Sequence, residues 1–210
     1  MALTGGHGVK FASAFWLISR RTFHHNAGDA TIKGFEAEMS WRPVPGLSID
    51  GSLAYLNFHY DSISAAAANS GIGTEDKGQY ISPWQWSISA QYDLPLGSLG
   101  TLTPRVDVSH IDSFNRNANN IDAATKGRDI FGQVPGYTLV NARLTFATPE
   151  REWELALEVR NLTDKLYYTD LFDNRGSTNS IQGTPAEPRT WAVTIKRRSE
   201  ERRVGKECLR

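Results

Sequence analysis

The sequence predicts an all-β chain, an antiparallel meander of about seven or eight long strands. Three observations predict it. Apolar and polar residues alternate with period two over segments of about 10 to 14 residues, longer than the usual strand of about 5–6. Short turns alternate with long polar segments of about 15 to 25 residues, well past ordinary hairpin length. Aromatic residues flank both kinds of connection, drawn from six Trp, seven Tyr and nine Phe in 210 residues.

The bulk composition narrows the function classes. Twenty-three basic and 23 acidic residues give no net charge, so no nucleic-acid footprint is present. No apolar run reaches the ~18 residues of a membrane helix. Membrane-spanning β-strands escape that filter because only every second residue is apolar. The one cysteine, Cys208, excludes an internal disulfide.

Residues 1–29 carry the weakest pattern. Val9–Ser19 is strand-like, and Thr22–Asp29, with His24, His25, Asn26 and Gly28, reads as a loop. The apolar run Phe11–Ile18 is followed by Arg20 and Arg21 with no small-residue cleavage site. It therefore does not read as a signal peptide, and an exported chain beginning here is expected to be incomplete.

From Ala30 the alternation is regular. Phe35, Ala37, Met39 and Trp41 oppose Glu36, Glu38, Ser40 and Arg42. Pro43 to Gly46 is a tight turn, with Pro fixing φ and Gly free to take positive φ. Leu47, Ile49, Leu53 and Tyr55 alternate with Ser48, Asp50 and Ser52, and a long polar segment follows Tyr60. Next, Trp84, Trp86, Ile88, Ala90, Tyr92 and Leu94 share one face and Gln85, Ser87, Ser89, Gln91 and Asp93 the other. After the turn Pro95–Gly100, Leu102, Val106 and Val108 oppose Thr103, Arg105, Asp107 and Ser109; Pro104 sits awkwardly for a central strand. A long polar segment from about Phe114 to Gln133 leads to a strand opened by Tyr137, with Val140, Ala142, Leu144 and Phe146 on one face.

The last hairpin spans Glu152 to Lys196. Trp153, Leu155, Leu157 and Val159 go out, and Trp191, Val193 and Ile195 return. Their partners on the other face include Glu154, Glu158, Arg160 and Lys196. A water-soluble sheet buries its apolar face. A membrane barrel turns it to lipid and its polar face to the lumen. Aromatics at both strand ends favour the second. Trp41, Tyr92, Phe146 and Trp153 lie beside short turns, and Tyr55, Tyr60, Tyr80, Trp84, Tyr137, Tyr167 and Tyr168 beside long segments. They form two expected interfacial girdles. Lipid contact is therefore expected for Trp84, Trp86, Ile88 and Tyr92, for Trp153, Leu155, Leu157 and Val159, and for Trp191, Val193 and Ile195.

Several stretches, taken in order, carry a resemblance. They are Asn26 to Glu36 (NAGDATIKGFE), Ser82 to Ser87 (SPWQWS), Val134 to Tyr137 (VPGY), Glu158 to Lys165 (EVRNLTDK) and Glu187 to Ile195 (EPRTWAVTI). From about Asn26 to Arg197 the chain resembles the C-terminal part of a TonB-dependent outer-membrane receptor, with residues 30–197 as its barrel segment. The resemblance implies a transmembrane barrel of about 22 strands with a plug domain. It implies a place in the bacterial outer membrane, in contact with its lipid. It also implies uptake of a scarce small-molecule ligand, such as a siderophore, energised by the TonB complex. The plug and TonB box are absent from this sequence, and the fragment by itself is expected to be inactive. Residues 198–210 depart from the family, resemble a translated sequencing adapter, and are read as non-native. Two alternatives stay open: a complete eight-stranded outer-membrane barrel with a structural or adhesive role, and a soluble β-sandwich binding module.

No catalytic constellation, metal site or cofactor is expected. Adjacent His24 and His25 lack further ligands. Asp164, Asp170, Asp173 and Asn174 lack the Gly-centred spacing of a calcium loop. Asn161-Leu162-Thr163 matches a glycosylation sequon but lies at a strand end. Ligand contact in such a receptor comes from long loops and the inner wall, which makes Tyr167, Tyr168, Phe172 and Arg175 the candidates.

Overall fold

The computed structural model describes residues 19–25 in backbone only, and 28–120, 131–174 and 178–198 in full. Thirteen strands occur among them. They are β1 (Ser19–His25), β2 (Gly28–Trp41), β3 (Leu47–Ile63), β4 (Trp84–Tyr92), β5 (Leu94–Pro95), β6 (Thr101–Ile111), β7 (Phe114–Asn115), β8 (Gln133–Val134), β9 (Tyr137–Ala147), β10 (Trp153–Arg160), β11 (Tyr168–Asp173), β12 (Ile181–Pro185) and β13 (Thr190–Arg197). The long strands form one antiparallel sheet in the order β1-β2-β3-β4-β6-β9-β10-β13, with β5 extending the β4 position against β6. Each long strand pairs with the next long strand in the chain, which makes a meander. Among the described residues it is a single open sheet with β1 and β13 at its ends, without the closure of an eight-stranded barrel or the second layer of a sandwich.

The register carries the two-face pattern across the sheet. Residues paired across an antiparallel ladder project to the same side. Met39 pairs with Gly51, Gly51 with Ile88, Ile88 with Val108 and Val108 with Val140. Further along, Leu144 pairs with Leu157 and Leu157 with Val193. The opposite face runs from Ser40 through Asp50, Ser89 and Asp107 to Asn141. A one-residue slip anywhere would put charges into the apolar face, so pairing and patterning enforce one another.

From β2 onward, short and long connections separate to opposite ends. Pro43 to Gly46 closes with Leu47 N–H donating to Val44 C=O (3.1 Å), and Gly46 takes φ +85°. Residues 96–100 turn through a short 3₁₀ segment, Gly97–Leu99. Gly100 stands at φ +123°, and a Cβ there would collide with the Ala147 carbonyl. Gly100→Ala is expected to destabilise the barrel by about 1–3 kcal/mol, because only glycine adopts that backbone without strain. A lowered urea midpoint for the full receptor in lipid would register it. An unchanged midpoint would mean that the turn relaxes freely.

Three expectations need correction. Within the expected loop Thr22–Asp29, the described residues are strand: β1 runs to His25, pairing Thr22 with Thr31 and His25 with Gly28, where β2 begins. The polar composition there hid a strand that pairing to the regular β2 imposes. The predicted Val9–Ser19 strand lies outside the described residues, apart from Ser19. Second, Tyr60 and Tyr137 do not join the loop-end girdle. Tyr60 pairs with Ala30 and Tyr137 with Ile111, both on the polar side of the sheet. Proximity to a loop gave no information on face, whereas register does. Third, Pro104 is at ease in a central strand. It falls where β4 gives way to β5, so neither strand pairs with it on that side.

Candidate functional site

The polar face and the long connections above it form the candidate site. On the wall, Ser52 and Ser87 share a hydroxyl contact of 2.8 Å. Glu36, Glu38, Gln85 and Ser109 line the same depression, about 440 Å³ in volume. Farther along, charges alternate in sign. Arg42 donates to both oxygens of Asp50, and Ser40 Oγ donates to Asp50 Oδ1 at 2.6 Å. Arg105 grips Asp107 through Nε and Nη2 and reaches Gln91 Oε1. Arg143 lies 3.4 Å from Glu158 and 3.6 Å from Glu154, and these carboxylates also meet Arg160 and Lys196. The cross-strand pair Arg105–Arg143 would repel if bare. The flanking carboxylates offset it, which suits a wall in contact with water.

Two long connections are fused above this wall. After β3, Ser64 caps the short helix α1 (Ala65–Asn69), accepting from Ala67 N–H. Asp76 then turns inward, 2 % exposed. Its carboxylate accepts from Gly73 N–H and from Asn120 N–H of the next connection, each at 2.7 Å. Asn120, 3 % exposed, returns the link: its Oδ1 accepts from Lys77 N–H and its Nδ2 donates to Lys77 C=O. These backbone groups are satisfied across loops rather than by water, which makes the pair of loops one unit. A cavity of about 460 Å³ lies beneath, lined by Phe58, Lys77, Ile81 and Asp112.

The third connection carries the hairpin β11–β12. Its base is built on Asn161, 3 % exposed at φ +50°. Asn161 Nδ2 donates to Lys165 C=O (2.9 Å) and Glu187 C=O (3.4 Å), and Oδ1 accepts from Lys165 N–H (2.8 Å). Asp164 meets Arg189 Nη2 at 3.3 Å. The stretches Glu158–Lys165 and Glu187–Ile195 are thus two halves of one structural knot. Near the tip, Arg116 donates to Asp170 (3.0 Å) and lies over the Phe172 ring at 3.5 Å.

Of the candidate ligand residues, Tyr167, Tyr168 and Phe172 fall in this layer, each against a different neighbour. Tyr167 packs against Tyr137, with ring centroids 4.5 Å apart. Tyr168 opens β11 opposite Pro185. Phe172 is covered by Arg116. Arg175 lies outside the described residues. Asp164 and Asp170 are committed to Arg189 and Arg116 rather than gathered for a cation. Sequence reasoning missed Arg116, Asp76 and Asn120. Each is one polar residue in a polar segment, with no spacing to mark it.

The apolar face is aromatic at its loop end. Phe35, Tyr55 and Trp84 cluster with centroids 4.5–5.8 Å apart. Trp86 stacks on His110 at 5.4 Å, a polar ring on the apolar face that composition did not reveal. Ile88, Tyr92, Trp153, Leu155, Leu157, Trp191, Val193 and Ile195 are all exposed. Val159 shares their face but is only 6 % exposed.

Comparison with known proteins bears on this architecture. A family model described as TonB dependent receptor-like, beta-barrel, matches residues 4–162. Among solved structures, the ferric yersiniabactin uptake receptor FyuA from Yersinia pestis superposes with a TM-score of 0.64 at 20% identity, over 80% of this chain and 23% of that one. The ferric preacinetobactin receptor BauA from Acinetobacter baumannii gives 0.55 at 18% identity, over 87% and 26%. FpvA from P. aeruginosa, bound to heterologous pyoverdines, gives 0.57 at 20%, over 80% and 19%. The chain spans about a quarter or less of these structures' length. No curated protein sequence matches it.

Proposed function

We propose, from the premise that the chain belongs to the TonB-dependent receptor β-barrel family, that it works as one segment of a longer outer-membrane uptake receptor. One observation carries the reading. A single register holds an apolar face and a charge-lined face across the eight-strand meander, with long knit connections at one end only. That arrangement suits lipid on one side and a wet lumen on the other. In this reading Trp84, Trp86, Ile88, Tyr92, Trp153, Leu155, Leu157, Val159, Trp191, Val193 and Ile195 face lipid. The charged wall faces a plug domain inside a barrel of about 22 strands.

The receptor's ligand is read as a ferric siderophore, since the solved receptors of like fold are named for ferric yersiniabactin and ferric preacinetobactin. Tyr167, Tyr168, Phe172 and Arg175 are the proposed ligand contacts. The energy comes from the TonB complex acting on the plug. The segment alone leaves two sheet edges unpaired, each backbone group costing several kcal/mol in lipid. Transport is therefore a property of the whole receptor.

Uptake of iron-55 siderophores by cells carrying the full-length receptor tests this. The expected result is uptake that needs both the receptor and the proton-motive force. Uptake surviving collapse of that force, or no difference when the receptor is deleted, would overturn the reading.

A further inference from the structure

The loop layer is built from two bodies joined at a side-chain contact. The first body is the fused pair of loops around Asp76 and Asn120, whose links run through buried atoms and backbone groups. The second is the β11–β12 hairpin, a two-stranded sheet of its own. An isolated hairpin is marginal in water and depends on what it docks against. Its base is fixed by Asn161 and by Asp164–Arg189. Toward the tip, β11 lies beside β8 without pairing to it, since β8 pairs with β7 and β11 with β12.

Across that unpaired seam, Asp170 and Phe172 of β11 both reach Arg116. Arg116 is well placed for a latch. Its own backbone is anchored in the fused body, where its N–H donates to Gly132 C=O at 3.1 Å and its C=O accepts from Gln79 Nε2 at 3.2 Å. Its guanidinium combines a hydrogen-bonded ion pair with an aromatic face, and both partners are half-buried. An ion pair partly withdrawn from water and a cation over a ring each contribute more than a solvated pair does.

We infer that the β11–β12 hairpin is a flap hinged at the Asn161 knot and held against the fused loops by the Arg116–Asp170–Phe172 latch. Breaking the latch frees the flap without loosening the fused loops. This holds whatever ligand the receptor takes, and its test needs none.

Hydrogen–deuterium exchange of the full-length receptor in nanodiscs is the experiment. R116Q and D170N should each raise exchange of residues 168–173 and 181–185 about tenfold. Residues 64–83 and strands β9 and β10 should stay at wild-type protection. The charge reversal R116D/D170R should restore much of the hairpin's protection, which separates loss of the pair from misfolding. D76N should do the converse, raising exchange in 64–83 and leaving the hairpin protected. Unchanged hairpin exchange in both R116Q and D170N overturns the latch. So does equal loosening of hairpin and fused loops by D76N, which would make the layer one body. Loss of protection in β9 and β10 would assign the pair to the sheet and also overturn it.

Discussion

Replacing Asn161 by alanine is expected to destabilise the third connection by about 3–5 kcal/mol. The side chain both donates to and accepts from Lys165, and also donates to Glu187, from a site 3 % exposed. Alanine removes all three contacts and with them the link between Lys165 and Glu187 that closes the base of the hairpin. Positive φ adds to the loss, because asparagine tolerates that region better than alanine. Exchange should rise across residues 162–189, and the folded yield of the receptor should fall. Asn161→Asp retains the acceptor to Lys165 N–H and loses the donor, so it should fall between. If alanine and wild type exchange alike, the knot is not what holds the hairpin's base.

Leu157→Arg is the second large effect, about 2–4 kcal/mol if that face meets the hydrocarbon midplane. Leu157 sits mid-strand in β10, exposed, between Leu144 and Val193. The control is Glu158→Gln on the opposite face. Glu158 meets Arg143 and Arg160 within a charge network that keeps other carboxylates, so its unfolding midpoint in liposomes should hardly move. Equal costs for the two substitutions would remove the assignment of lipid and lumen. Val159 makes a poorer probe despite sharing the face. At 6 % exposure, arginine there would disrupt packing as well as enter lipid.

Much of the fold was legible because period-two patterning is a local property. The stretch Trp84 to Leu94 alternates without a break, and β4 followed by β5 covers it except at Asp93. Where alternation failed, so did the reading. Thr22 to His25 carries no two-face pattern, and only its pairing to β2 makes it a strand. Aromatic position was legible along the chain but not across the sheet. Tyr55 and Tyr60 lie five residues apart in β3, and odd spacing sends them to opposite faces. The stretch beginning at Asn161 was visible as a resemblance, yet its contact with residues 187–189 spans more than 20 residues of chain.

The sequence by itself determined the long strands from β2 onward, their two faces and the segregation of their short turns from their long connections, because side-chain alternation and turn chemistry act between near neighbours. Only the tertiary structure decided which polar loop residues matter. Asp76 with Asn120, and Arg116 with Asp170, are 44 and 54 residues apart. Their roles arise from shared burial, which closes backbone and charge demands between loops and leaves no mark in either loop's own sequence.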